Sequence, residues 1–124
     1  DVEKVLMLTH QAGIRTNINL IAGFPGESRD DFQETVDFLE RNRNYIDEVT
    51  NVSAFVLFPF SEVALNRREY GVIWNEGVAP LRFTDRNGLG LEERNERVDR
   101  LVSKIEEMGL RKRIVNQPAK SCCK

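Results

Sequence analysis

The sequence predicts an α/β fold with a parallel sheet: one βαβ unit and a C-terminal helix. Three observations carry the prediction. Ile18–Ala22 and Val52–Phe60 are nearly continuous apolar runs, as expected of strands covered on both faces in a parallel sheet. An amphipathic helical pattern lies between them. From Ile18 to Val49 is about 30 residues, the length of a strand, a crossover helix and a return strand, and such crossovers are overwhelmingly right-handed.

The elements follow in order. Val2, Val5, Leu6 and Leu8 share apolar spacing, and Gly13 stands where a helix should stop, so residues 2–12 read as a helix. Ile18–Ala22 is the first strand, and Gly23 to Glu27 a tight turn. Ser28 caps the next helix, with Asp30 and Asp31 in its first turn, where carboxylates meet exposed amides and the positive end of the helix dipole. Phe32, Val36 and Leu39 form its apolar stripe, widened by Phe38. Glu62 to Tyr70 is expected to hold a short helix. Gly71 to Gly90, with Pro80, lacks sustained periodicity and reads as an irregular excursion. Leu91 to Met108 returns to a helix, striped by Val98, Leu101, Val102, Ile105 and Met108 and ended by Gly109. Arg94, Arg97 and Arg100 alternate with acids and read as a salted, solvated helix face. The organisation expected is the βαβ part over 1–72, an irregular segment and helix over 73–110, and a polar, mobile tail over 111–124.

Composition narrows the function. The chain has 124 residues, 20 acidic and 18 basic, with a net charge of -2, so one compact domain is expected and no basic field marks a nucleic-acid partner. No apolar run approaches the roughly 20 residues that cross a bilayer, and no secretory leader is evident; a cytoplasmic location is expected. Cys122 and Cys123 are adjacent in the tail and make no spaced ligand set. His10 is the one histidine, and a metal site needs several donors, so no metal ligand and no catalytic residue is assigned. Asp1 is followed at once by a helical pattern, as in a segment of a longer protein.

The loop Gly23-Phe24-Pro25-Gly26-Glu27 stands at the carboxyl end of a parallel strand, where ligands of such sheets bind. Gly23 lets a ligand or neighbouring backbone approach. Pro25 and Gly26 match a type II turn, with the fixed φ of proline followed by a positive φ. The same chemistry describes a plain strand-to-helix turn, or a small binding module holding an anion or nucleotide at the helix start; the residues alone leave these open. Unpaired sheet edges would also invite pairing with another chain.

The stretch Ile18 to Ser28, followed by Asp31-Phe32 and Thr35, resembles the fifth strand, loop and helix of radical S-adenosylmethionine (SAM) enzymes. The resemblance is greatest to the cobalamin-binding and methylthiotransferase-like branches, whose segment ends in Gly-Phe-Pro-Gly-Glu-Thr. Ser53 to Ser61 resembles the sixth strand of the same parallel (β/α) barrel, and Tyr70-Gly71-Val72 the segment after it, so the resemblance implies that residues 1–72 are part of such a barrel. The resemblance implies that Ile21 packs on the adenine of SAM and that Gly23 keeps the strand end open, with Phe24, Pro25, Gly26 and Glu27 completing the loop. It also implies adenine contacts from Leu57, Phe58 and Pro59. Asn19 stands where the family has a glycine, and Glu27 lies one residue farther along than the family's glutamate. Phe60 replaces a common glycine and would narrow the site. The cofactors implied are SAM, a [4Fe-4S] cluster and, in one branch, cobalamin. The cluster needs a Cys-x3-Cys-x2-Cys loop that this sequence does not contain. The chain is therefore expected to be inactive alone, a cofactor-facing part of a methyl- or sulfur-transferring enzyme. Its partner would be the remainder of the parent polypeptide, with self-association through sheet edges as the other route.

Overall fold

The computed structural model describes residues 1–75 and 77–115. It is a mixed α/β fold whose main sheet is parallel, as the sequence predicts. The elements are α1 (Val2–Gln11), β1 (Asn17–Ala22), α2 (Arg29–Asn42), β2 (Glu48–Ala54), α3 (Glu62–Leu65), β3 (Val72–Ile73), β4 (Thr84–Asp85), α4 (Leu91–Glu107) and β5 (Arg111–Val115), with single 3₁₀ turns at Arg43–Tyr45 and Pro80–Arg82. The main sheet has the order β1-β2-β5, all parallel, and β3 pairs antiparallel with β4. None of the helices among the described residues is long and apolar enough to cross a membrane.

The helices form where the sequence says, for the reasons it gives. The Ser28 hydroxyl accepts from the Asp31 amide at 3.0 Å while the Asp31 carboxylate accepts from the Ser28 amide at 2.8 Å, a reciprocal capping box. Those bonds hold the Asp31 carboxyl below its ordinary range. Phe32, Val36 and Leu39 of α2 meet Val98, Leu101 and Ile105 of α4, Leu6 of α1, and Leu20, Ala22, Val49, Val52 and Ala54 of the strands in one core. Each of these side chains larger than alanine contributes about 1.5–3 kcal/mol on full burial. At the end of α4 the Gly109 amide bonds to Glu106 O and the Leu110 amide to Ile105 O, and Leu110 packs on the core, the paired bonds of a Schellman stop.

Four features differ from the sequence reading. The second strand is Glu48–Ala54, not Val52–Phe60. A bulge explains part of this: Ile18 pairs with Val49 but Asn19 pairs with Asn51, leaving Thr50 as an extra residue. Val49 and Val52 therefore both face the helices although three positions apart, which hides the alternation. Beyond Ala54 the chain leaves the sheet, and its apolar residues serve a second cluster, Leu57, Ala64, Val72 and Phe83, with Phe55, Val63, Tyr70 and Trp74 packed against it. Secondly, the described residues cover the sheet on one face only: Leu20 and Ala22 are buried while Asn19 and Ile21 are exposed. Thirdly, the segment from Arg111 begins as a strand, because the stop at Gly109 turns the chain back beside β2, where Lys112 also pairs with Glu106. The end of the expected tail, with Cys122 and Cys123, lies outside the described residues. Fourthly, Arg94 is fully buried instead of lying on a solvated face.

Candidate functional site

The strand-end loop is held from every side. Its turn is closed by the Glu27 amide donating to Phe24 O at 2.9 Å, with Gly26 at φ +88°, as the Pro25-Gly26 pair predicts for a type II turn. The Gly26 amide points outward and donates to Asp85 Oδ2 at 2.7 Å. The Glu27 carboxylate folds back on its own loop: Oε1 accepts from the Gly23 amide at 3.1 Å and from Arg97 Nη1 at 2.5 Å. Glu27 and Arg97 are only 13% and 12% exposed at their side chains, so this ion pair sits far drier than a surface bridge. Arg97 Nη1 also reaches Glu27 O at 2.9 Å.

Gly23 has φ +81°, and a methyl group there would fall 2.5 Å from Arg94 Cδ and closer still to Cγ. What approaches Gly23 is therefore a side-chain stem from α4. Arg94 donates to the carbonyls of Leu89, Leu81 and Phe83 at 3.1, 2.8 and 3.0 Å and lies 3.8 Å above the Phe83 ring. Burial pushes its guanidinium down to about 10, against the pull of Asp85 and Glu93. Asp85 is likewise buried and accepts from the Asn87 and Leu89 amides at 2.8 and 3.0 Å, besides Gly26.

The residues singled out in the sequence separate into two groups. Ile21 is 59% exposed on the uncovered sheet face at the carboxyl end of β1, and its register partner is Ser53. Phe58 is 66% exposed, Phe60 90%, and Pro59 between them is exposed. Phe24 is half-exposed and sets its ring edgewise on Phe55 and Tyr70 at centroid distances of 5.1 and 6.0 Å. These side chains, with Gly26, are accessible. Gly23, Pro25 and Leu57 are buried and Glu27 is engaged, so these hold the loop and its surroundings in place. The amides of Gly23, Gly26 and Glu27 are all taken by internal acceptors, which leaves none of the three for an anion held in the loop.

Asp85 is not singled out by the sequence, and Arg94 reads there only as part of a solvated helix face. A signal existed for each: position 94 falls on the same helical stripe as Val98, Leu101 and Ile105, and Asp85-Arg86-Asn87-Gly88 has the composition of an aspartate-led turn. On the uncovered face Asn19 and Asn51 are register partners, and the buried Asn51 Oδ1 has no hydrogen-bond partner among the described residues. No group of His, Cys, Asp and Glu among the described residues is placed to hold a metal ion. His10 lies 5.5 Å from the Tyr45 ring in a tilted pair.

Comparison with known proteins gives two partial likenesses. The chain is 36% identical over 97 residues to the ribosomal protein uS12 methylthiotransferase RimO of Pseudothermotoga lettingae, a match covering 68% of this chain and 22% of that protein. It is 50% identical over 42 residues to the enzyme of the same name from Saccharopolyspora erythraea, covering 34% of this chain and 8% of that protein. The matched part thus spans less than a quarter of either relative. No family model matches, and no solved structure matches. Both relatives are methylthiotransferases of the radical SAM family, and that family is what the comparisons support for this chain.

Proposed function

We propose that these residues are the distal βα part of a radical SAM methylthiotransferase, and that the uncovered sheet face forms one wall of its SAM site. The observation that carries the reading is the 36% identity over 97 residues with a methylthiotransferase. The structure supports it at the level of chemistry. An adenine ring needs an apolar surface and a few placed polar groups. Ile21 offers the first, exposed at the carboxyl end of a parallel strand. Asn19, exposed on the same face two residues before Ile21, offers a polar group.

In this reading Ile21 binds and orients the adenine by contact, with the exposed Asn19 beside it on the same face. Phe58, Pro59 and Phe60 form a projecting apolar wall that excludes water from the neighbouring substrate space. Leu57 keeps that wall in place from the second cluster instead of touching adenine. SAM at a reduced [4Fe-4S] cluster would supply the radical chemistry, but the described residues do not fit a cluster, so its thiolates come from elsewhere in the parent polypeptide. The other partner surfaces are the edges β1 and β5, on which the rest of a barrel would pair. The two relatives stand on the methylthiotransferase side of the two branches that the sequence resembles, and cobalamin has no part in the proposal.

The complete reading frame that encodes this chain tests the proposal. It is expected to contain a Cys-x3-Cys-x2-Cys loop ahead of Asp1, and its product, reconstituted anaerobically, to consume SAM. A complete frame without that loop would sink the reading. Sedimentation of the isolated chain addresses the alternative of self-assembly through β1 and β5: concentration-dependent dimers would favour it.

A further inference from the structure

We infer that Asp85 and Arg94 are positioning residues for the SAM wall: together they fix the Gly23–Glu27 loop, and through it the setting of Ile21, from the far side of the sheet end. The inference rests on the proposed reading of that wall. It starts from an oddity of burial. Arg94 and Asp85 are 0% and 2% exposed, yet among the described residues neither makes a salt bridge. A buried charge without a partner is costly unless the backbone satisfies it, and here the backbone does so for Asp85 and for both terminal nitrogens of Arg94, while the buried Arg94 Nε has no partner among the described residues. Asp85 takes the amides of Gly26, Asn87 and Leu89; Arg94 takes the carbonyls of Leu81, Phe83 and Leu89.

Two consequences follow. Leu89 gives its amide to Asp85 and its carbonyl to Arg94, so the two side chains tie the same loop strand and act as a unit. They also grip the Gly23–Glu27 loop at both of its glycines: Asp85 bonds the Gly26 amide, and the Arg94 stem lies against Gly23. Apolar residues of similar volume would pack as well or better in such a place. What charged, hydrogen-bonded groups add is direction, since amides and carbonyls are held at set angles. Ile21 lies in β1 two residues before Gly23, the first residue of the loop, so the grip bears on the presentation of its side chain.

The test uses the intact enzyme with Asp85→Asn, Arg94→Lys and Ile21→Asp variants, and 5′-methylthioadenosine as the nucleoside probe. Amide exchange in the 124-residue chain is read in parallel at Gly26 and along the central strand β2. Expected for Asp85→Asn and Arg94→Lys are faster exchange at Gly26, unchanged exchange in β2, and a Kd for the nucleoside raised about tenfold, equivalent to about 1.4 kcal/mol. The same variants should raise KM for SAM and leave kcat at saturation near wild type. Unchanged nucleoside affinity in both variants, while Ile21→Asp weakens it, would overturn the positioning role alone. Wild-type affinity in Ile21→Asp, or no affinity in the parent enzyme, would overturn the proposed wall and this inference with it. If one variant loses protection throughout β2, the other decides; loss in both would show that the pair maintains the fold and not the loop, and would overturn the inference.

Discussion

A methyl group at Gly23 tests how the strand-end loop is built. Gly23→Ala faces two separate costs. Its φ of +81° is left-handed, which costs an alanine roughly 1–2 kcal/mol. Its Cβ would also fall 2.5 Å from Arg94 Cδ and 3.0 Å from Arg94 Cβ, and that side chain cannot swing aside without breaking its bonds to Leu81, Phe83 and Leu89. Overpacking of this kind costs about 1–3 kcal/mol. The sum, about 2–5 kcal/mol, is a large share of the stability of an ordinary domain. Urea unfolding followed by circular dichroism measures it: at a slope of about 1.5 kcal/mol/M, a loss of ~3 kcal/mol lowers the midpoint by about 2 M. The same substitution in an Arg94→Ala background removes most of the clash, so its cost should fall to about 1–2 kcal/mol, a coupling readable as a double-mutant cycle. A Gly23→Ala protein within about 0.5 kcal/mol of wild type, or an equal cost in both backgrounds, would refute the packing of Arg94 on Gly23.

Other expectations follow from the same geometry. Leu57→Ala should cost about 2–5 kcal/mol in a thermal or urea melt, because Leu57 is buried in the second cluster; a neutral result would place it outside. Ser28→Ala should cost about 1 kcal/mol by losing the cap on α2. Asp31 titrates below its ordinary range in the folded chain, chiefly through its bond from the Ser28 backbone, and Glu3 does so through Asn42 and then Arg41. Groups with a lowered folded pKa stabilise the fold above their unfolded values, and that stability is lost as pH falls through the lowered ones. Stability should therefore drop below about pH 4, and less so in an Asp31→Asn variant; a flat acid profile would contradict this. Ile21→Asn should leave the melt within about 0.5 kcal/mol, since its side chain is largely exposed, while weakening nucleoside binding by the parent enzyme.

Much of this architecture was legible because local chemistry and tertiary structure agree. Ser28 with Asp31, the stripe Phe32-Val36-Leu39, the turn at Pro25-Gly26 and the stop at Gly109 each specify their element without reference to distant residues. The misreadings occur where distant residues decide. Thr50 bulges out of register, so the alternation that would have marked Glu48–Ala54 is broken. Phe55 to Phe60 has strand composition, but only Phe55 and Leu57 are packed, with Phe83 and Val72 in the second cluster, while Val56, Phe58 and Phe60 are exposed. The segment from Arg111 has little apolar content of its own and becomes a strand through its pairing with β2. For the site, the motif correctly marked a tight turn at the strand end. That its carboxylate serves its own loop, and that its glycines are gripped by Asp85 and Arg94, depends on residues about 60 to 70 positions away in sequence.

If this chain supplies a SAM-facing wall to a radical SAM methylthiotransferase, electron paramagnetic resonance of the complete gene product, reduced anaerobically and titrated with SAM, should separate the wild type from Ile21→Asp. A reduced-cluster signal is expected that SAM perturbs at low concentration in the wild type and only at much higher concentration in the variant. A parent protein without such a signal, or one whose response to SAM is the same in both, would contradict that role.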